Sequence, residues 1–553
     1  MARDLSQEDN RVADYIIVGA GSAGCVLANR LSADPANRVL LLEAGGENRT
    51  FLVQMPKGIG KLVIDPVYSW QYPVQQERAN GVLINESWQR GRGLGGSSAI
   101  NGMIYIRGQP EDYAIWEREA GPEWGWAAMK QAFRAIEDHE LGDDGLRGVG
   151  GPVHISTNKF RYPLAEKAIK AGEQMGLNLR DDLNREDQEG IGYYCYNIKD
   201  GRRQSAATCF LDPIRDRPNL TVITNVHVDR IRFENKRAVA VECRVNGQRT
   251  SFSASNEIIV SCGAVNSPKL LQLSGIGPAE LLRRHGIKVL HDSPDVGRRL
   301  LEHLGLMMTY RLNGDKGINH RLSGLGLVGS ILQYLVTRAG PLANGAMEVG
   351  AFVRTNPTEP RPNAQLYISG WTLDLPKDEN ISAPMQAVER KPGMTVTAQL
   401  IGLDSEGVLE ISSADPDAPL SIMPNWLTTE HDRHAIVELV RYIRRYVAQP
   451  ALAGVIAEEI QPGAMVDSDE EILDFMFSNA SCGTHAVRSC RMGRDPESVV
   501  DERLRVRGVQ GLRVVDCSIM PGLISGNTNG PAMATGWRAA DLILEDHHQS
   551  TMT

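Results

Sequence analysis

The chain has 553 residues, of which 42% are hydrophobic, and this size favours a globular protein of more than one domain. Its 59 basic and 68 acidic residues give a net charge of −9 without any long basic block, which argues against a nucleic-acid partner. Eight scattered cysteines and a polar N-terminus without an apolar leader predict reduced thiols and a cytoplasmic location.

The first predicted elements are a strand, a glycine turn and a helix. Residues 15–18 form an apolar run of strand type, and residues 19–24 read Gly-Ala-Gly-Ser-Ala-Gly, the order G-x-G-x-x-G. Gly19 allows a tight turn, Gly21 leaves room for a pyrophosphate, and Gly24 lets the helix pack closely on the strand. The helix N-terminus would offer free N–H groups to the phosphates.

A second apolar strand at 38–42 ends in Glu43, about 20 positions after the last glycine of the turn. A carboxylate at this position can accept hydrogen bonds from a ribose diol, with Ala44 beside it. The flanking elements make the glycine motif specific, so the sequence predicts a βαβ unit with a parallel sheet and a dinucleotide site.

The middle of the chain predicts further strands. Short β-branched runs alternate with turns between 220 and 252, which is typical of an antiparallel meander that begins with the strand 220–223. Val228 within it is a candidate backbone contact for an adenine. Residues 257–260 form a continuous apolar strand suited to a sheet covered on both faces.

Three segments of the second half predict helices. The apolar run 322–336 fits either a buried helix or a surface that touches lipid, and the buried helix is the favoured interpretation. Thr429 precedes an amphipathic helix, and Ser468 with Glu471 forms a capping box before another.

Two long segments carry a family resemblance. Residues 90–103 read Arg-Gly-Arg-Gly-Leu-Gly-Gly-Ser-Ser-Ala-Ile-Asn-Gly-Met, and residues 263–278 read Gly-Ala-Val-Asn-Ser-Pro-Lys-Leu-Leu-Gln-Leu-Ser-Gly-Ile-Gly-Pro. They resemble the two signatures of the glucose-methanol-choline (GMC) oxidoreductases, in the choline dehydrogenase and alcohol dehydrogenase-like bacterial branch. The resemblance implies FAD rather than NAD. Ile100 stands where some relatives carry a histidine bound to the flavin, so FAD is expected without a covalent bond.

The resemblance extends to the C-terminal part. Residues 481–493 are similar to the family's active-site histidine segment, with Ala486 and Ser489 in place of the common proline and threonine, and residues 525–531 are similar to Ser-Gly-Asn-Thr-Asn-Ala-Pro. The match implies that His485 and Asn529 form the catalytic pair. A neutral imidazole can remove the hydroxyl proton of an alcohol while an amide N–H holds the oxygen.

The expected cofactor contacts combine the glycine turn, the end of the second strand, both signature regions and the C-terminal segment. They are Gly19, Gly21, Ser22, Ala23, Gly24, Glu43, Ala44, Arg90, Gly95, Gly96, Ser97, Asn101, Gly102, Met103, Ile104, Val228, Asp516, Cys517, Asn529, Gly530 and Pro531.

A zinc site is the alternative use of the histidine segment. Cys482, His485 and Cys490 are suitable ligands, but Arg488 and Arg491 would oppose a cation and no second ligand cluster completes the set. We therefore expect no metal.

The expected fold is α/β: a discontinuous Rossmann-like FAD-binding domain and an α+β substrate-binding domain built on an antiparallel sheet. The expected FAD-binding parts are 1–155, 216–305 and 481–553, and the expected substrate-binding parts are 156–215 and 306–480.

The expected reaction is FAD-dependent oxidation of a primary alcohol to an aldehyde, with His485 as base and flavin N5 as hydride acceptor. Thr484 stands where choline-oxidising relatives can carry a tyrosine, and Trp70, Trp371 and Trp426 fit core positions better than an aromatic cage.

Choline dehydrogenase proper and a flavin-containing lyase of the hydroxynitrile lyase type are the alternatives to this reaction. Oxygen, a quinone or another carrier can accept the electrons, with a dehydrogenase favoured over an oxidase. A quinone acceptor would imply peripheral contact with the inner membrane. The sequence does not indicate an oligomeric state.

Overall fold

Two seven-stranded sheets organise the chain in the computed structural model, which describes residues 11–77, 83–374 and 387–552. The strands are β1 Val12–Val18, β2 Val39–Leu42, β3 Ser69–Glu77, β4 Leu83–Gly91, β5 Glu137–His139, β6 Val153–Ile155, β7 Gly190–Tyr193, β8 Ile198–Lys199, β9 Arg202–Arg203, β10 Leu220–Ile223, β11 Val226–Glu234, β12 Arg237–Val245, β13 Gln248–Val260, β14 Ile276–Gly277, β15 His291–Asp292, β16 Leu304–Leu312, β17 Val349–Val353, β18 Ala364–Ser369, β19 Gly393–Leu400, β20 Val408–Ile411, β21 Leu420–Met423, β22 Ile456–Gln461, β23 Ser481–Cys482 and β24 Leu512–Val514.

Fourteen α-helices are present in the described ranges. They are α1 Ser22–Leu31, α2 Phe51–Gln54, α3 Ile59–Leu62, α4 Pro110–Ala120, α5 Trp126–Ile136, α6 Pro163–Gln174, α7 Gly263–Leu273, α8 Ala279–Arg284, α9 Asn319–Leu322, α10 Gly324–Thr337, α11 Glu430–Val447, α12 Pro450–Ala453, α13 Asp469–Asn479 and α14 Asn529–Met552. None of the helices in the part of the chain that the structure describes is both long and apolar enough to cross a bilayer.

The first sheet has the order β10-β2-β1-β13-β12-β11, and β24 also pairs with β13. Strands β10, β2, β1, the C-terminal half of β13 and β24 run parallel. The side chains in the centre of this sheet are buried, because helix α1 packs on β1 and β2 and α7 packs on β11, while α14 packs on α1. The expected βαβ unit at the N-terminus is present.

One strand of the expected meander belongs elsewhere. β11, β12 and the first half of β13 form the antiparallel meander, but β10 pairs in parallel with β2 at the sheet edge. The assignment of 220–223 to the meander was therefore wrong. A short β-branched run indicates a strand, whereas its partner depends on long-range contacts.

The second sheet has the order β22-β16-β19-β18-β17-β7, with β23 paired to β16, and all its neighbours are antiparallel. Helices α6 and α11 pack against it in a second core. Thr429 caps α11 and the Ser468–Glu471 capping box starts α13, as the sequence predicts. β16 crosses the expected boundary between residues 305 and 306, and the domain limits stay a prediction.

Helix α10 departs from the expectation of a buried helix. Ser330 and Tyr334 are buried, whereas the apolar side chains of the opposite face are exposed. The apolar run 322–336 is thus a surface helix over most of its length. Its composition shows which face is apolar and does not show whether another element covers that face.

Candidate active site

The glycine turn between β1 and α1 is built as its sequence requires. Gly19 has φ +101°, and a Cβ there would lie 2.4 Å from the Ser261 carbonyl oxygen. A Cβ on Gly24 would lie 2.0 Å from the Gly19 carbonyl oxygen. At Gly21 the atom nearest to a Cβ would be 3.9 Å away, so this position is not crowded as Gly19 and Gly24 are. The first turn of α1, with Ser22 and the buried Ala23, therefore has room for a phosphate at its N-terminus.

Glu43 joins three backbone segments. Its Oε2 atom accepts a hydrogen bond from the N–H of Ala20 at 2.9 Å. Its Oε1 atom accepts from the N–H groups of Gly45 and Gly93 at 2.8 and 2.9 Å. Ala44 lies in the sequence between Glu43 and its hydrogen-bond partner Gly45. The carboxylate thus holds the glycine turn against the loop that follows β4, and Oε2 retains a lone pair for a ribose hydroxyl.

The first signature loop lies directly on the glycine turn. The N–H of Gly95 donates to the Ala20 carbonyl oxygen at 2.8 Å, and a Cβ on Gly96 would lie 2.8 Å from the Gly21 Cα. Ser97 accepts a hydrogen bond from the N–H of Gly91 through Oγ at 3.0 Å. The two glycine-rich segments therefore form one continuous cradle of backbone.

The end of the signature loop leads toward the second sheet. The Asn101 Oδ1 atom accepts from the N–H of Met103, which has φ +62°, and Ile104 forms an isolated bridge with Tyr196. A Cβ on Gly102 would lie 3.6 Å from the Ala346 methyl group. Ile100 is buried in a small apolar cluster and offers no nucleophile to a flavin.

Arg203 is a buried cation that braces this loop. Its guanidinium donates to the carbonyl oxygens of Asn101 and Ser98 at 2.6 and 3.3 Å, and to the Asn101 Oδ1 atom at 2.9 Å. Its Nε atom donates to the Val53 carbonyl oxygen. Burial lowers the pKa of Arg203 to about 9. The sequence analysis did not identify this residue.

His485 is brought to the centre of the molecule by a bulge between two strands. Leu304 pairs with Cys482, and Leu301 pairs with Val487. Four residues lie between Cys482 and Val487, whereas only two lie between Leu301 and Leu304 on the partner segment. The longer segment therefore forms a bulge, in which Thr484 adopts φ +64°. His485 lies in this bulge and is 9% exposed.

Two side chains contact the imidazole of His485. Its Nε2 atom lies 3.1 Å from the Nδ2 atom of Asn527, and its Nδ1 atom lies 3.0 Å from the Nδ1 atom of His303. Burial is the largest cause that lowers the pKa of His485 well below its usual value, and His303 and Arg90 add to the shift. Burial also lowers the pKa of His303 to about 3. Both rings are therefore neutral near pH 7.

A chain of amides fixes the orientation of Asn527. Its Oδ1 atom accepts from Gln365 Nε2 at 3.1 Å and from the Tyr367 hydroxyl at 3.4 Å. The Gln365 Oε1 atom in turn accepts from Gln399 at 2.9 Å and from Tyr367 at 2.8 Å. The NH2 group of Asn527 consequently faces His485 as a donor, which leaves Nε2 as the acceptor and puts the His485 proton on Nδ1.

Asn529, the expected second catalytic residue, bonds the glycine turn. Its Oδ1 atom accepts a hydrogen bond from the Ser22 hydroxyl at 2.8 Å. Asn529, Gly530 and Pro531 form the first turn of α14, which packs on α1. The side chain that contacts His485 is thus that of Asn527, whereas Asn529 bonds the glycine turn, and the catalytic role of Asn529 stays a prediction.

Glu302 anchors the backbone of His485. Its Oε1 atom accepts from the His485 N–H at 2.6 Å, and its Oε2 atom accepts from Arg90 at 2.9 Å and from Cys482 Sγ at 3.2 Å. Burial raises the pKa of Glu302, and Arg90 opposes the shift. Arg90, expected as a cofactor contact, therefore forms a buried ion pair with Glu302.

Three possible metal-ligand atoms lie close together beside His485. Glu302, His303 and His485 each offer one atom, and the three atoms lie within 4.8 Å of one another. The guanidinium of Arg90 already neutralises Glu302 and opposes a cation. Cys490, the other ligand considered in the sequence, is buried apart from this group and its backbone bonds Ser518.

The remaining expected contacts lie around α7 and β11. Asp516 accepts hydrogen bonds from Gly263 N–H at 2.8 Å and from the Ser267 hydroxyl, so it caps the helix of the second signature. Burial raises the pKa of the neighbouring Cys517 to about 12. Val228 lies on β11, separated from β1 by β12 and β13 in the sheet.

Several functional candidates were missed in the sequence. They are Arg203, Glu302, His303, Gln365, Gln399 and Asn527. For some of them the sequence contains a signal, a polar residue within an apolar stretch. Glu302 and His303 interrupt an apolar stretch before β16, and Gln365 and Gln399 stand inside apolar strands, where a buried amide needs a specific partner.

Comparison with known proteins assigns the family. The N-terminal profile of the GMC oxidoreductases matches residues 13–305, and the C-terminal profile matches residues 404–536. The chain belongs to the GMC oxidoreductase family. Its sequence is 40% identical over 542 residues to an alcohol dehydrogenase [acceptor] from Pseudomonas putida, covering 96% of this chain and 95% of that protein.

Three further relatives show the breadth of this similarity. A mitochondrial choline dehydrogenase from Homo sapiens is 39% identical over 539 residues, which cover 96% of this chain and 89% of that protein. The crystal structure of pyridoxine 4-oxidase from Mesorbium loti superposes with a TM-score of 0.85 at 32% identity, covering 97% of this chain and 99% of that one. A formate oxidase from Aspergillus oryzae, studied for FAD modification, superposes with a TM-score of 0.89 at 26% identity, covering 97% and 99%.

This GMC oxidoreductase uses FAD and oxidises the CH–OH group of an alcohol, with a small-molecule substrate and an electron acceptor. The expected family, fold class and cofactor are thereby confirmed. The site fits the cofactor in two respects: no atom closely crowds Gly21 at the start of α1, and the backbone of Gly95 and Gly96 lies directly on the glycine turn.

Proposed function

We propose that the enzyme oxidises an uncharged primary alcohol to its aldehyde, with His485 as the base and Asn527 as the donor that holds the alcohol oxygen. One observation carries the proposal: the Nε2 atom of a neutral imidazole and an oriented amide NH2 group face each other at 3.1 Å. An alcohol hydroxyl that replaces this direct contact can donate its proton to Nε2 while its oxygen accepts from the Asn527 NH2 group.

The charges of the site support this direction of proton transfer. Burial lowers the pKa of His485, so the ring is neutral and its Nε2 atom carries a lone pair that can accept a proton. As the proton moves to Nε2, the Asn527 N–H stabilises the negative charge that develops on the oxygen. FAD, when bound, supplies the acceptor for the hydride that leaves the carbinol carbon.

The cofactor is assigned to the cradle around the glycine turn. We propose that the first turn of α1 holds the pyrophosphate, Glu43 the ribose, and the loop Gly95–Asn101 the ring system. Asn529, which bonds Ser22 at the start of α1, belongs to this cofactor side of the site. Ile100 supports binding of FAD without a covalent bond.

An uncharged alcohol is favoured over choline. A quaternary ammonium group binds to a free carboxylate or an aromatic cage. Here Glu302 is paired with Arg90, while Trp426 donates its N–H to the Glu302 carbonyl oxygen and Trp70 stacks on Tyr72. Trp70 and Trp426 are therefore assigned to packing rather than to an aromatic cage.

A dehydrogenase is the proposed type of enzyme. The alcohol dehydrogenase [acceptor] of Pseudomonas putida is 40% identical and matches nearly the whole chain. Its name specifies an electron acceptor without identifying it, and we propose that this enzyme also passes its electrons to such an acceptor. All eight cysteines are free thiols, which supports a reducing, cytoplasmic location. Oxygen uptake during turnover, compared with reduction of a quinone analogue, decides between oxidase and dehydrogenase.

Flavin reduction without oxygen tests the reaction. Purified enzyme mixed with aliphatic and aromatic primary alcohols is expected to lose its flavin absorbance, and choline is expected to act more slowly. His485→Ala should slow the reduction about 10² to 10⁴-fold with FAD still bound, whereas His434→Ala, an exposed histidine of α11, should not. A lyase would leave the flavin oxidised, and unchanged reduction in His485→Ala would refute its role.

A further inference from the structure

We propose that helix α10 seats the enzyme on the surface of an anionic phospholipid bilayer. The proposal concerns a surface outside the catalytic centre and does not depend on the reaction proposed above. It begins from the distribution of side chains on α10: only Ser330 and Tyr334 are buried, and six large apolar side chains point outward.

The outer face of α10 is a continuous apolar stripe. Its side chains recur three and four positions apart, which places them on one side of a helix. They are Leu325, Val328, Ile331, Leu332, Leu335 and Val336. Leu325 is 89% exposed, Val336 83% and Leu332 58%. We call these six residues the α10 stripe.

The inner face of α10 is tied to the protein by polar contacts. The Ser330 hydroxyl donates to the Arg321 carbonyl oxygen at 2.8 Å, and the Tyr334 hydroxyl donates to the Gly201 carbonyl oxygen at 3.0 Å. Gln333 accepts from Arg321 at 2.7 Å. These bonds fix the rotation of the helix, so the stripe stays outward. An apolar stripe that is held in water by its own polar anchors requires a partner to cover it.

The surroundings of the stripe extend it and give it a charge. The Phe51 ring, itself 41% exposed, contacts the Tyr334 ring at 5.9 Å and lies under the guanidinium of Arg338. The sequence from 316 to 347 contains no acidic residue, although the whole chain has a net charge of −9. It carries Lys316, Arg321 and Arg338, which flank both ends of the helix.

Apolar residues between cations match an anionic lipid surface. The stripe can enter the boundary between headgroups and acyl chains while the flanking cations contact phosphate groups. The 14 residues of α10 span about 21 Å, which suits a helix lying in the interface plane rather than across the bilayer.

A second copy of the chain is a poorer partner for the same surface. A two-fold contact through α10 would bring equivalent patches together. Because Arg321 precedes the helix and Arg338 follows it, parallel and antiparallel arrangements both place cation against cation. Lipid phosphates remove this repulsion.

The position of α10 connects the surface to the active centre. The chain runs from α10 through residues 341–348 into β17, which pairs with β18, the strand that carries Gln365. On this path Ala346 lies near the signature loop, since its methyl group would be 3.6 Å from a Cβ on Gly102. The chain that follows α10 therefore passes close to the cofactor cradle.

Vesicle sedimentation of the FAD-loaded enzyme tests the proposal. Wild-type enzyme should co-sediment with phosphatidylcholine vesicles that contain about one third phosphatidylglycerol, and less with pure phosphatidylcholine or at high salt. The triple variant Leu325→Gln, Leu332→Gln, Val336→Gln should partition at least about tenfold more weakly, since it removes three apolar side chains from the interface.

A matched variant separates a specific surface from general hydrophobicity. Leu179→Gln with Met465→Gln changes two side chains that are 60% and 88% exposed elsewhere and should bind vesicles like wild type. Flavin absorbance and alcohol-driven flavin reduction in solution should be unchanged in all variants. Equal binding of the triple variant and wild type, absence of binding by both, or a dimer abolished by the triple variant without vesicle binding would each overturn the proposal.

Discussion

The Nδ1 atoms of His303 and His485 lie 3.0 Å apart, with the two rings nearly perpendicular at 77°. Asn527 donates to the other nitrogen of His485, so the His485 proton resides on Nδ1 and His303 accepts it. His303 can do this because burial keeps its pKa at about 3 and the ring neutral. The proposed base thus depends on a second histidine that does not need to touch the substrate.

His303 is expected to be a positioning residue. His303→Phe would leave the Nδ1–H of His485 without an acceptor, and flavin reduction should fall about 10- to 100-fold. His303→Asn, which restores an acceptor oxygen, should recover most of the rate. Anaerobic stopped-flow reduction measures both. If the His303→Phe and His303→Asn variants reduce the flavin equally slowly while their FAD content and thermal stability match wild type, the proposed hydrogen bond does not set the rate.

Asn527 and Asn529 are expected to have separable effects. Asn527→Ala removes the donor beside the base, so reduction should slow about 10²-fold with FAD retained. Asn529→Ala removes the acceptor for Ser22 at the cofactor cradle, so FAD retention after dialysis should fall more than the reduction rate of enzyme that keeps its flavin. The opposite pattern would restore Asn529 as the partner of His485.

The pH dependence follows from the lowered pKa of His485. An ordinary histidine with a pKa of 6.5 is half protonated at that pH, whereas a base with a lower pKa is still neutral there. The rate of flavin reduction should therefore stay constant as the pH falls to 6.5 and decline only below it. Single-turnover reduction between about pH 5.5 and 9 measures the profile. A midpoint at or above 6.5 would contradict the prediction.

Glu43 is expected to support both the fold and the cofactor. Glu43→Ala leaves the N–H groups of Ala20, Gly45 and Gly93 without their acceptor and should lower the free energy of unfolding by about 3 kcal/mol or more. FAD should be lost on dialysis. Glu43→Gln keeps one acceptor oxygen and should lie between wild type and Glu43→Ala on both measures. Full FAD occupancy of dialysed Glu43→Ala would exclude the ribose contact.

Local patterns were sufficient for much of the fold. The turn at 19–24 needs glycine for reasons that lie within a few residues, and the structure shows that Gly19 and Gly24 are closed to side chains. The caps of α11 and α13 are likewise local, because the Thr429 and Ser468 side chains bond the first turn of their own helix.

The sequence by itself determined the βαβ unit with its glycine turn, since these depend on backbone torsions and spacing inside one segment. The family resemblance located the signature loops and the histidine segment, and the roles of their residues stay predictions. Tertiary structure decided that Asn527 rather than Asn529 contacts His485, because Gln365 on another strand orients one amide and the start of α14 turns the other away. It also decided that β10 runs parallel to β2 and that the apolar face of α10 is exposed. Pairing and burial depend on residues far apart in the chain, and a local pattern cannot specify them.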